Sequence, residues 1–105
     1  MTIRFTKHQI AVMQTALDRW GVNAQAGQTV EECAELIVAL TKHINRTPKP
    51  ESLENVIDEM ADVEMMLAQM RLVSGISDER LHEQIARKFE KLERHLKNEK
   101  ETNAL

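Results

Sequence analysis

Two short acidic motifs, Glu31-Glu32-Cys33-Ala34-Glu35 and Glu59-Met60-Ala61-Asp62, are where this chain can do chemistry. Each sets two carboxylates three residues apart, Glu32 with Glu35 and Glu59 with Asp62. On a helix that spacing puts both side chains on one face, with Cβ atoms ~5–6 Å apart. Like charges held so close repel unless something neutralises them. A hard divalent cation with oxygen ligands is the natural partner. A lone Glu-x-x-Glu is common on solvated helix faces. Two such motifs on consecutive helices carry more weight than one.

The elements that must position these acids read as four helices without strand-like alternation. The first runs from Lys7 to Trp20, with a stripe of Ile10, Met13, Leu17 and Trp20. Thr6 with Gln9 has the form of a capping box, and Gly21 suits the C-terminal stop. The second lies between Ala24 and Asn45, with Val30, Cys33, Ile37, Leu40 and Ile44 as its apolar stripe. Two prolines mark Arg46 to Pro50 as a loop. The third covers Glu51 to Val73, with Leu53, Val56, Met60, Val63, Leu67 and Met70 as its stripe. Ser74-Gly75 ends it, and Ser77 or Asp78 can cap the fourth. That helix carries Leu81, Ile85, Phe89, Leu92 and Leu96, close to a heptad seam. The expected organisation is one all-α domain over 1–97, a four-helix bundle of antiparallel helices, with a polar, frayed tail over 98–105.

At ~100° per residue the acids fall in different settings. Glu59 and Asp62 lie beside Val63, Met66, Met70 and Val73, so they border an apolar face where an ionised carboxylate is costly unless paired or metal-bound. Glu32 and Glu35 sit away from the Ile37–Leu40 stripe and share their side with Val38 and Ala39. Small Ala39 and Ala61 allow close approach of the two helices. The segment 36–58 is long enough to finish one helix, turn, and bring the next back antiparallel. A competing reading stands beside this one. Thr29 with Glu32 also fits a capping box, which would make Glu32 a structural residue at a helix start.

Composition narrows the class. The chain has 105 residues, enough for one domain and a modest core. Aromatics are 3% with no Tyr, and the apolar volume is Leu, Ile, Val, Met and Ala, which favours helix over sheet. A net charge of −3 argues against a general nucleic-acid binder. One cysteine, Cys33, excludes an internal disulfide and a multi-cysteine zinc site. Its place on the apolar stripe reads as core packing, and neighbouring acids disfavour a thiolate. Arg4, Lys7 and His8 interrupt the start before any apolar run, so no signal peptide is expected. No stretch approaches the ~20 apolar residues of a membrane span. The expectation is a cytoplasmic protein.

Glu-Glu-x-x-Glu followed by Glu-x-x-Asp at this separation resembles the MazG-like all-α nucleoside triphosphate pyrophosphohydrolases. Trp20-Gly21, Gln25, Glu31 to Ile37 and Asp58 to Glu64 look like small single-domain members of phage and bacterial type. The resemblance covers Trp20 to Arg94 and is carried chiefly by the double acidic motif. It implies a helical bundle assembled as a homodimer or homotetramer. It also implies magnesium-dependent hydrolysis of a (deoxy)nucleoside triphosphate to monophosphate and pyrophosphate, with Mn2+ a possible substitute. By position, Glu32, Glu35, Glu59 and Asp62 would be the metal ligands. Glu31 could orient the attacking water, and Glu35 is a candidate to accept its proton.

The remaining phosphate charge calls for cations. Lys42 is one candidate. Lys88, Lys91 and Arg94 resemble basic positions late in the family, although their alternation with Glu90 and Glu93 equally describes surface ion pairs. For the base, Trp20 offers a stacking face and Asn23 and Gln25 offer hydrogen bonds. Against that, Trp20 completes an apolar stripe, which favours a place in the core.

Other functions compete. A di-iron carboxylate bundle wants two Glu-x-x-His motifs, and only Glu79-Arg80-Leu81-His82 fits. A non-enzymatic helical interaction module would use the seam of the fourth helix but leaves the paired acids unexplained. Phosphoribosyl-ATP pyrophosphatase shares the fold and similar acidic motifs.

Overall fold

The computed structural model describes residues 4–45 and 49–104, with side chains through residue 100. It contains four α-helices, α1 (Lys7–Trp20), α2 (Val22–Asn45), α3 (Pro50–Met70) and α4 (Asp78–Ala104), and no strand among the described residues. By contacts the chain divides into two compact units, the first ending at Val73 and the second starting at Ser74. The single domain expected over 1–97 spans both units. No helix is long and apolar enough to cross a membrane, among the described residues.

In the first unit, α1 begins as its sequence demands. Thr6 Oγ1 accepts from the Gln9 backbone N–H at 3.1 Å, and Gln9 Oε1 accepts from the Thr6 N–H at 2.8 Å. The box thus satisfies donors that a helix start leaves free. Gly21 ends α1 with φ +90°, a conformation L-residues avoid. Its N–H donates to Leu17 O and its carbonyl accepts from Gln25 N–H, so one residue both stops α1 and opens α2. The second helix therefore starts at Val22, before the Ala24 expected from sequence.

Beyond the expected loop, of which 46–48 lie outside the described residues, α3 opens with Lys49 as cap and Pro50 in the first turn. Ser52 Oγ accepts from Lys49 N–H at 3.1 Å and donates to Lys49 O at 2.9 Å. It also meets His43 Nδ1 at 2.8 Å, tying the end of α2 to the start of α3. Further along, Ala39 and Glu35 share a groove with Asn55 and Glu59. Gln25, Gln28 and Glu32 share another with Met66 and Gln69. Rising numbers on α3 meet falling numbers on α2, so the two helices pair antiparallel, as expected.

The core is small. Met13 and Leu17 of α1, Ala39 of α2, and Val56 and Met66 of α3 are buried, together with the polar Gln25 and Gln69. The expected stripes are covered only in part. On α2, Val30, Ile37 and Ile44 are 68%, 64% and 71% exposed, and the helix instead turns Ala39 and Glu32 inward. On α3, Val56 is buried and Val63 and Met70 half-buried, while Leu53, Met60 and Leu67 are exposed along with Ile57.

In the second unit, Ser77 caps α4, accepting the Arg80 backbone N–H on Oγ at 3.1 Å. Arg80 also reaches back to Gly75 O at 3.3 Å. Leu81 is half-buried, and Ile85, Phe89, Leu92 and Leu96 are exposed along the helix. The helix continues through Ala104, past the Lys97 at which the sequence reading ended it.

Candidate metal centre and adjoining cleft

The antiparallel pairing of α2 and α3 sets their two acidic pairs at one level. One carboxylate oxygen from each of Glu32, Glu35, Glu59 and Asp62 lies within 4.8 Å of the others. Glu35 is exposed, and the other three are half-buried. The four acids singled out by spacing therefore converge across the segment that separates them.

Electrostatics follows from that convergence. Glu59 titrates above its ordinary value, first because burial disfavours its charge, then because of the Glu35 charge and a side-chain hydrogen bond with Glu35. Asp62 is raised by burial first, then by the charges of Glu32 and Asp58 and a hydrogen bond with Glu32. Both shifts have the same origin: negative charge is crowded where burial already disfavours it. Glu32 Oε1 accepts from Gln28 Nε2 at 2.8 Å. Its other oxygen, Glu32 Oε2, and Glu59 Oε2 are buried with no protein partner. The four carboxylates form a group of oxygen donors that could hold a metal ion, with two buried oxygens unpartnered.

The capping reading of Glu32 does not hold. With α2 starting at Val22, Thr29 and Glu32 lie inside the helix. Thr29 Oγ1 donates back to Gln25 O at 2.8 Å, a bond within the helix and not a cap.

Next to the acids lies a cleft of about 790 Å³ between α1, α2 and α3. Glu32 belongs to both cluster and cleft. Trp20 lines the cleft and is 61% exposed, so its ring is not in the core as the stripe suggested. Gly21 ends α1 directly after Trp20. Gln25 is buried and also lines the cleft. Asn23 is exposed and is not part of the lining.

The other expected residues fall elsewhere. Glu31 is exposed and outside the group of four. Asp58 is exposed, yet its charge helps to raise both Glu59 and Asp62. Lys42 is exposed, two turns or ~10 Å along α2 from Glu35. Lys88, Lys91 and Arg94 gather on one face of α4 with His95 and Asn98 around a shallow hollow. Cys33 is half-buried with a free thiol. His82 is exposed, and the carboxylate group contains no histidine.

Three residues escaped the sequence reading. Gln28 holds Glu32 from one turn earlier, and the i, i+4 spacing could have revealed it. Arg19 adds a cation to the cleft. Gln69 is 4% exposed in the cleft lining, with Oε1 buried and unpartnered. Its signal was a polar residue two turns from Asp62 on the face that also carries Met66.

Comparison with protein-family models, curated proteins and solved structures finds no match.

Proposed function

We propose that this chain is a magnesium-dependent nucleotide pyrophosphohydrolase of the MazG-like all-α kind, working as a homo-oligomer. The observation that carries the reading is the convergence of both acidic pairs within 4.8 Å, two of their buried oxygens lacking any protein partner. Four like charges drawn this close repel one another, and a bound cation would relieve that repulsion.

In this reading Glu32, Glu59, Asp62 and Glu35 hold the cation, whose chemistry when bound is to neutralise charge on the triphosphate oxygens. Gln28 fixes Glu32 through its Oε1 and leaves Oε2 free to ligate. Glu35 is the most accessible of the four, which suits it to take a proton from the attacking water. The water oxygen bonds to the α-phosphorus as the bridge to the β-phosphorus breaks, releasing monophosphate and pyrophosphate. The cleft beyond Glu32 has the volume of an ordinary small-molecule site. It offers the Trp20 ring to the base and Arg19 to negative charge. The uncovered stripes on α2 and α3 support association, because a run of Val, Ile and Leu facing water marks a surface that another chain can cover.

The test is a panel of ribo- and deoxyribonucleoside triphosphates with Mg2+, scored for pyrophosphate against phosphate. Pyrophosphate release that stops on chelation is expected. No turnover of any nucleotide, with no change in thermal stability on adding Mg2+ or Mn2+, would sink the proposal.

A further inference from the structure

Gln69 lies outside the group of four acids, yet it too has a buried oxygen without a partner. It is 4% exposed, and its Oε1 has no hydrogen-bond partner. Native chains seldom leave a buried acceptor unmet, and an exception asks what supplies the missing donor. The side chain lies in the wall of the cleft that also holds Trp20, Gln25 and Glu32.

Position on the helix narrows what the donor belongs to. Gln69 stands two turns beyond Asp62 on α3, ~10 Å along the axis and on nearly the same face. A ligand with anionic groups at the acids would bring its far end to Gln69, with a sugar-sized spacer between. At that far end the exposed Trp20 ring supplies a flat apolar surface. A planar heterocycle with a polar edge fits both features. Its face meets Trp20 and its edge meets the carboxamide. Glutamine pairs with such an edge through two adjacent bonds, accepting an N–H on oxygen and donating from nitrogen. Met65 is the neighbour one turn back, half in solvent and also in the lining. Its unbranched side chain can swing aside to let the edge reach Oε1.

We propose that Gln69 is the specificity-determining residue of this cleft, reading the edge of a nucleobase by accepting one of its N–H groups while the ring lies on Trp20. The inference rests on the pyrophosphohydrolase reading for the identity of the ligand, but it can be tested without catalysis.

Trp20 is the only tryptophan, so its fluorescence reports on the cleft alone. The probes are plain nucleosides, free of phosphate and with no metal added, and the same nucleosides with the edge nitrogen methylated so that no N–H remains. The wild-type protein should bind at least one plain nucleoside about tenfold or more tightly than its methylated form, since a site built around a hydrogen bond rejects the analogue that lacks it. In Gln69→Leu that preference should shrink to within about twofold, while the thermal midpoint stays level or rises because an unpaired buried oxygen has gone. Gln69→Met gives a second reading should Leu disturb the packing. In turnover, both variants should flatten the ranking of the four bases. Unchanged base preference in folded variants overturns the inference even if pyrophosphate is released. Quenching of Trp20 by no nucleoside overturns it as well. Failure to hydrolyse any triphosphate, with Gln69-dependent nucleoside binding intact, overturns only the enzymatic reading.

Discussion

Along the side of α2 that meets α3 lie Glu32, Ala39 and His43, while the opposite side carries Val30, Ile37 and Ile44. The packed side holds a carboxylate with a buried, unpartnered oxygen. The open side holds three β-branched apolar residues more than 60% exposed. Hydrophobic burial alone would choose the reverse arrangement, since covering Val or Ile gains ~1.5–3 kcal/mol each. The difference is what the proposed function addresses: a cation for the inner face and a second copy of the chain for the outer one.

The largest expected effect tests the inner face. Glu35→Ala or Asp62→Ala should lower kcat/KM for the preferred triphosphate by more than about 100-fold, beyond what loss of a residue merely supporting a ligand costs. Full activity in both variants would break the assignment of these acids. Next is the contrast between core and open stripe. Leu17→Ala, in the buried core, should cost about 2–5 kcal/mol in denaturant unfolding and leave the oligomeric state alone. Ile37→Asp should do the opposite, shifting sedimentation toward monomer with little loss of helix. A monomeric wild-type protein, or an Ile37→Asp variant of unchanged size, would remove the association half of the comparison.

A smaller effect concerns pH. Glu59 and Asp62 titrate above their ordinary values of 4.5 and 3.8 in the folded chain. The folded state therefore holds their protons more tightly than the unfolded state does. The stability this contributes is present below those ordinary values and is lost as pH rises through the raised ones. Without metal, the thermal midpoint should climb as pH is lowered from neutral through that window. Mg2+ should cancel the trend by replacing the protons. Glu59→Gln should raise the metal-free midpoint at neutral pH and abolish the Mg2+ response. A metal-free midpoint that falls steadily on acidification would contradict the account. The smallest effect is Thr29→Ala, expected within about 0.5 kcal/mol of wild type by thermal melting. Loss of about 1 kcal/mol or more would restore the cap that the helix start at Val22 removes.

Much of this was legible in the residues. Thr6, Gln9 and Gly21 gave the bounds of α1 because caps are local chemistry. The acidic pairs were legible because three-residue spacing fixes a helix face. The start of α2 was harder. A one-residue link is shorter than helix connections usually are, and Val22-Asn23 carries no start signal of its own. The stripes illustrate a deeper limit. Periodicity located Val30, Ile37 and Ile44 on one face, but periodicity does not say whether that face is covered by the same chain. Trp20 shows the same limit, since it completes the stripe of Met13 and Leu17 yet lines the cleft at 61% exposure. The polar tail expected from Asn98 onward by composition is where α4 ends, at Ala104. Lys97, Glu99 and Lys100 are good helix formers, and α4 runs on through them. Pattern could place Gln69 on the face of Asp62 and Met66, but its lack of a partner exists only once α3 is packed.

The central claim is that the inner face between α2 and α3 is a divalent-cation site. Crystals grown with Mn2+ and measured for its anomalous scattering test it most directly. The account predicts a peak within metal-bonding distance, ~2.0–2.6 Å, of oxygens from at least three of Glu32, Glu35, Glu59 and Asp62. Density showing the four carboxylates together with no peak between them, at saturating Mn2+, would contradict it.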